Sequence, residues 1–134
     1  MKVLVDTSVW SLALRRRASA HAAVDELRRL VASGRAALVG PVRQELLSGI
    51  RDRADATRLR DHLRAFPDEP IATADYERAA ECFNLCRAKG VQGTNTDFLL
   101  CAVAERHRLP ILTTDEDFAQ FARVLPIALH PLRD

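Results

Sequence analysis

Val3-Leu4-Val5-Asp6-Thr7-Ser8 places three apolar, mostly β-branched residues before one acid and two hydroxyls. A short run that does not alternate with polar residues reads as a strand buried on both faces. Thr7-Ser8 can cap a helix running from about Val9 to Arg17. Buried strand, turn and helix together form the opening half of a β-α-β unit. Asp6 then lies at the carboxyl end of a strand, where open parallel sheets bind their ligands.

The same alternation continues along the chain. A second helix is predicted over about His21 to Ala32, with Val24, Leu27, Leu30 and Val31 at helical spacing and Gly34 as its stop. Ala36 to Val39 is a second strand. Gly40-Pro41 starts the next helix with proline in its first turn; Val42, Leu46, Leu47 and Ile50 are apolar, and Glu45 sits at the flank. Helices over about Ala54–Phe66 and Ala74–Lys89 are separated by Pro67 and Pro70, and the second ends at Gly90. Gly93-Thr94-Asn95-Thr96-Asp97 is a turn into a further helix. Leu100, Cys101 and Ala104 make its inner face, with Asp97 on that face at the N-terminal end. Pro110 to Thr113 is a third strand, and Thr114-Asp115 leads into a short helix through Phe121. Ile127 to Leu129 is read as a last edge strand. The expectation is one α/β domain over residues 1–134, with a short, mostly parallel sheet between helices.

Length and composition agree with this reading. A chain of 134 residues can bury a core without staples, and 48% apolar with 28% charged residues is ordinary for a globular protein. No apolar run approaches the roughly 20 residues needed to span a bilayer. The apolar stretch at the N-terminus is too short for a signal peptide, which predicts a cytoplasmic protein away from membranes. Cys82, Cys86 and Cys101 lack metal-ligand spacing and read as small buried hydrophobes in a reducing compartment. Net charge is only +2, so no global basic field marks a nucleic-acid binder. Arginines nevertheless cluster at Arg15-Arg16-Arg17, Arg28-Arg29 and Arg51, Arg53, Arg58, Arg60 and Arg64. Such residues bind phosphate well, although solvated helix faces are the plainer account of them.

Each acid has a structural explanation. Asp6 can be a turn residue and Glu45 a surface acid. Asp97 and Asp117 each follow a threonine (Thr94 and Thr114) by three positions, the spacing of a helix capping box. Jointly they point elsewhere. Acids gathered at strand ends and on an inner helix face repel one another and are costly to bury without a cation. A divalent cation relieves that conflict, and oxygen-only ligands favour Mg²⁺ or Mn²⁺ over zinc.

Four segments resemble the motifs of PIN domains, in family order. Val3-Leu4-Val5-Asp6-Thr7-Ser8 is similar to the strand that delivers the first acid. Val42-Arg43-Gln44-Glu45-Leu46-Leu47-Ser48-Gly49 resembles the helix with the second, and Thr96-Asp97 with Cys101-Ala102 the third. Leu112-Thr113-Thr114-Asp115-Glu116-Asp117-Phe118 resembles the last motif, Thr-x-Asp-x-Asp-Phe. One departure is Asp97-Phe98-Leu99-Leu100-Cys101-Ala102, where the family more often reads Asp-Ala-x-Ile-Ala-Ala.

The resemblance implies a PIN-like three-layer α/β/α sandwich and a VapC-type toxin that cleaves RNA at single-stranded or looped sites. It implies that Asp6, Glu45, Asp97 and Asp115 carry catalysis and hold Mg²⁺, with Mn²⁺ able to substitute. Asp117 is a further ligand, an outer residue or a cap; Thr7, Ser8 and Thr113 would support the acids. It also implies a homodimer neutralised by a VapB-type antitoxin. No histidine is placed as a general base: His21, His62, His107 and His130 read as surface or helix-end residues. Trp10 reads as a core anchor beside Leu14, with base stacking or a partner contact as alternatives.

Three other readings compete. A phosphoacceptor receiver domain needs adjacent acids early and a lysine after a later strand, and neither is present. A phosphatase of the haloacid dehalogenase type needs a second Asp where Ser8 stands. A non-catalytic PIN-like RNA-binding module would be marked by a missing acid, and all four are here.

Overall fold

A computed structural model describes residues 1–14 and 21–132. Three short strands, β1 (Val3–Val5), β2 (Ala36–Ala37) and β3 (Ile111–Leu112), lie in the order β2-β1-β3. Both pairings are parallel: Val3 and Leu4 face Ala36 and Ala37 on one side, while Leu4 and Val5 face Ile111 and Leu112 on the other. Around the sheet run α1 (Thr7–Leu14), α2 (Ala22–Ala32), α3 (Gly40–Leu47), α4 (Arg53–Leu63), α5 (Thr73–Ala88), α6 (Asn95–His107) and α7 (Asp117–Val124). All three residues of β1 are fully buried, so helices cover both faces and the α/β/α sandwich is as expected.

The chain leaves β1 for β2 on one side and later places β3 on the other. The crevice where that direction reverses lies between β1 and β3, at their carboxyl ends. Asp6 and Asp115 follow these two strands. Beneath them, Phe98 of α6 packs against Phe121 of α7 with ring centroids 4.9 Å apart, and Phe121 against Phe118 at 5.1 Å. Gly93 makes this approach possible, since a Cβ there would lie 2.5 Å from Phe121 Cζ.

Several boundaries differ from the sequence reading. Helix α1 begins at Thr7 rather than Val9, because the Asp6 carbonyl accepts from the N–H groups of Val9 and Trp10. Thr7 and Ser8 are therefore in the first turn and are not its caps. The predicted extension to Arg17, with the Arg15-Arg16-Arg17 cluster, lies outside the described residues. The second strand stops at Ala37; Leu38 makes only an isolated bridge to Asp68. Ile127 to Leu129 gives a single parallel bridge, Ile111 to Leu129, rather than a strand. Pro126 and Pro131 flank it without N–H groups, which curtails the ladder. Helix α4 ends at Leu63, three residues early, as Phe66 precedes Pro67 and must leave helical geometry.

Cys82, Cys86 and Cys101 are buried free thiols, each raised by burial and thereby kept protonated. Arg28 pairs with Asp25, Arg29 with Glu26 and Arg58 with Asp55 on their own helices, and Arg60 and the α4 C-cap Arg64 both pair with Asp61. Among the described residues no helix is long and apolar enough to cross a membrane.

Candidate active site

Each acid is positioned by a different element. Asp6, 6% exposed, ends β1, and its Oδ2 accepts from Ser8 Oγ at 2.8 Å and Thr113 Oγ1 at 2.9 Å. Thr113 follows β3, so this bond ties the two strand ends together. The same Thr113 oxygen accepts from the Asp115 N–H at 3.0 Å, and Ser8 Oγ accepts from the Thr114 N–H at 3.1 Å. Two hydroxyls thus fix Asp6 and the start of the Asp115 turn as one unit. Asp115 Oδ1 in turn accepts from the Asp117 N–H at 2.9 Å.

Asp97 is the third residue of α6 and closes a capping box: its Oδ2 accepts from the Thr94 N–H, and its own N–H donates to Thr94 Oγ1, both at 3.1 Å. The capping role that the spacing allowed is therefore real, and it coexists with a second property. Burial first, and then the charges of Asp6 and Asp115, lift the Asp97 carboxyl above the usual carboxylate range, against the lowering effect of Thr94. Asp6, Asp97 and Asp115 therefore share one electrostatic site. Glu45 is exposed on α3 and accepts from Thr7 Oγ1 at 2.7 Å, the link that joins it to the residue after Asp6. An open cleft of about 540 Å³ runs alongside, lined by Thr7, Pro41, Gln44, Glu45, Ser48 and Thr96.

Asp117 stands apart. It is the exposed first residue of α7, and no capping box forms with Thr114, because Asp115 supplies the side-chain acceptor instead. Trp10 is 2% exposed and meets the Phe66 ring edge-on at 5.2 Å, the core-anchor arrangement, and its Nε1 has no hydrogen-bond partner among the described residues. His130 corrects the surface reading: its Nε2 lies 2.5 Å from Oε2 of buried Glu26. Sequence reasoning also missed Asp75, buried on α5 and held by Arg106 of α6 through two bonds of 2.7 Å. A helical periodicity that put polar Asp75 in line with Ala79, Cys82 and Cys86 was the available signal.

The donors suit a hard divalent cation. Asp6 Oδ1, Asp97 Oδ1 and Asp115 Oδ2 receive no hydrogen bond from the described residues, whereas the second oxygen of each is occupied. Each carboxylate is thus oriented by one oxygen and left with lone pairs on the other. Among the described residues no three such side chains stand ready as a closed ligand group.

Residues 3–124 match the PIN domain model. The chain belongs to the PIN-domain family. It is 34% identical over 127 residues to Ribonuclease VapC11 of Mycobacterium tuberculosis, covering 91% of this chain and 92% of the relative. A VapC ribonuclease of Mycobacterium bovis matches to the same extent. In fold, this PIN domain is similar to VapBC2 of Rickettsia felis bound to a promoter DNA fragment, with a TM-score of 0.77 at 17% identity over 97% of this chain and 98% of that one. It is likewise similar to FitAcB of Neisseria gonorrhoeae, with a TM-score of 0.75 at 18% identity and 96% of both chains covered.

Proposed function

We propose that this PIN domain is a VapC-type endoribonuclease toxin, restrained by a VapB-type antitoxin and using Mg²⁺ or Mn²⁺. The observation that carries the reading is that Ser8 and Thr113 fix Asp6 and the Asp115 turn as one unit, with one oxygen each of Asp6, Asp97 and Asp115 left for a cation. The VapC ribonucleases that it resembles over nine-tenths of its length supply the substrate class.

In this reading Asp6, Asp97, Asp115 and, at the rim, Glu45 hold the ion. When bound, the cation supplies Lewis acidity and an activated water for attack on a phosphodiester. Ser8 and Thr113 keep Asp6 in one rotamer, so its free oxygen faces the same direction throughout turnover. Thr7 restrains Glu45, which is otherwise an exposed side chain with several rotamers to lose. The open cleft beside Glu45 leaves room for a phosphodiester strand, in keeping with a single-stranded or looped RNA.

The test is incubation of antitoxin-free protein with total cellular RNA in Mg²⁺ or Mn²⁺, in EDTA, and beside Asp6→Asn. Discrete fragments that require both metal and Asp6 are expected. Equal cleavage by folded Asp6→Asn would overturn the site, and intact RNA throughout would favour a non-catalytic module.

A further inference from the structure

A second hollow, of about 400 Å³, lies between the start of α3 and the N-terminal halves of α5 and α6, with Pro41, Tyr76, Ala80, Asn95 and Thr96 in its wall. Pro41 and Thr96 also line the cleft that holds Glu45, and Thr96 is the residue before Asp97. The hollow therefore adjoins the acids. We propose that it receives one unpaired base of the RNA, stacked on Tyr76, while the backbone of that nucleotide lies in the Glu45 cleft. The inference rests on the ribonuclease reading above and adds a base-binding residue to it.

The two adjoining spaces differ as the two parts of a nucleotide differ. The cleft carries Glu45 and borders Asp97, a setting for a cation and the phosphodiester it would bind. No charged side chain lines the hollow: its wall is aromatic and aliphatic, with Asn95 and Thr96 as the polar members besides the tyrosine. A phosphate would find no cationic side chain there. A base is uncharged, apolar on its faces, and carries its donors and acceptors at its edge. The volume lies at the lower end of the range for small-molecule sites, room for a nucleoside rather than for a longer stretch of strand.

Tyr76 supplies the face. It is 56% exposed, and no ring, guanidinium or hydrogen-bond partner engages it among the described residues. An exposed aromatic face stacks any base, which is how single strands are gripped without regard to sequence. Asn95 supplies the edge contact: it is exposed, and its side-chain amide makes no hydrogen bond among the described residues. That amide offers both donors and an acceptor to a base lying on Tyr76.

The test uses a short single-stranded oligoribonucleotide that the wild type cuts at one place. It is compared with versions of the same strand in which one base beside the cut is removed and its ribose kept. Values of kcat/KM are measured for the wild type, Tyr76→Phe and Tyr76→Ala; the side chain is exposed on a helix, so both variants keep the fold. For the wild type, base removal at one position is expected to lower kcat/KM about fivefold or more, the usual loss when a stacking partner is deleted. Tyr76→Ala should lose the same factor on the intact strand and be indifferent to the missing base. Tyr76→Phe keeps the ring and should behave as the wild type. Losses from Tyr76→Ala and from base removal that multiply would mean that ring and base do not meet, and would overturn the proposal. Full activity of Tyr76→Ala on the intact strand would overturn it too. Sedimentation of the same proteins reads the other occupant. If Tyr76→Ala dissociates a dimer and weakens cleavage of intact and base-deleted strands alike, a second copy of the chain fills the hollow and the proposal falls. A folded wild type that neither cuts nor binds any oligonucleotide would instead remove the ribonuclease reading, and the base site with it.

Discussion

Thr113 donates to Asp6 across the junction of β3 and β1, at 2.9 Å, and through the same oxygen accepts from the Asp115 N–H. One hydroxyl therefore sets the relation between the acids that end two neighbouring strands. Thr113→Val preserves shape and removes only this oxygen. The expected result is an intact fold with ribonuclease activity lowered about 10- to 100-fold, the usual cost of removing a residue that orients a metal ligand. Circular dichroism with the RNA cleavage assay checks it, and full activity in Thr113→Val would refute the coupling.

The crowding of Asp6, Asp97 and Asp115 predicts that a cation stabilises the folded protein. At 100 times its dissociation constant, a ligand specific to the folded state adds about 2.7 kcal/mol, roughly 10 °C in Tm for a domain of this size. Mg²⁺ or Mn²⁺ should raise the wild-type Tm accordingly. Asp115→Asn removes one of the repelling charges, so it should melt no lower than the wild type in EDTA and gain little from metal. Thermal melts with and without EDTA decide this without any RNA.

The fold was legible where the sequence is locally unambiguous. Val3-Leu4-Val5 is an uninterrupted apolar run that only a doubly covered strand explains, and Gly40-Pro41 marks a helix start. The acid positions followed from strand ends and from Thr94 preceding Asp97. Long-range pairing was less accessible. That Thr7 reaches Glu45 over 38 residues, or that His130 meets Glu26 over 104, depends on how elements pack and has no local periodicity. Asp117 was ambiguous for the same reason: whether Thr114 or Asp115 caps α7 is decided by Thr113 and Ser8 already holding the turn.

Gly93 carries a steric prediction. Its φ is not in the left-handed region, so alanine meets no backbone penalty there, only the 2.5 Å approach to Phe121 and 3.0 Å to Phe98. Both rings are fully packed and cannot swing away cheaply. Gly93→Ala should cost about 1–3 kcal/mol in urea unfolding. Pairing it with Phe121→Leu should restore part of the loss relative to the sum of the single variants; strict additivity would place the clash elsewhere.

Asp75 gives the pH dependence a sign. The hydrogen bonds from Arg106 outweigh burial and hold its carboxyl below the usual carboxylate range, with further lowering from the Ala72 N–H and the Arg106 charge. A depressed folded value means that the ionised form is bound more tightly in the folded state. The stabilisation is therefore complete above the unfolded value, about 3.9, and is lost as pH falls through the lower folded value. Asp75→Asn keeps the size and can still accept from Ala72, but loses the charge that Arg106 requires. Its Tm should lie several degrees below the wild type at pH 7, with the gap narrowing as both are taken below about pH 4. Melts of the two proteins across that range make the comparison. A gap that stays constant down to pH 2 would mean that Asp75 stabilises the α5–α6 contact by shape and not by its charge.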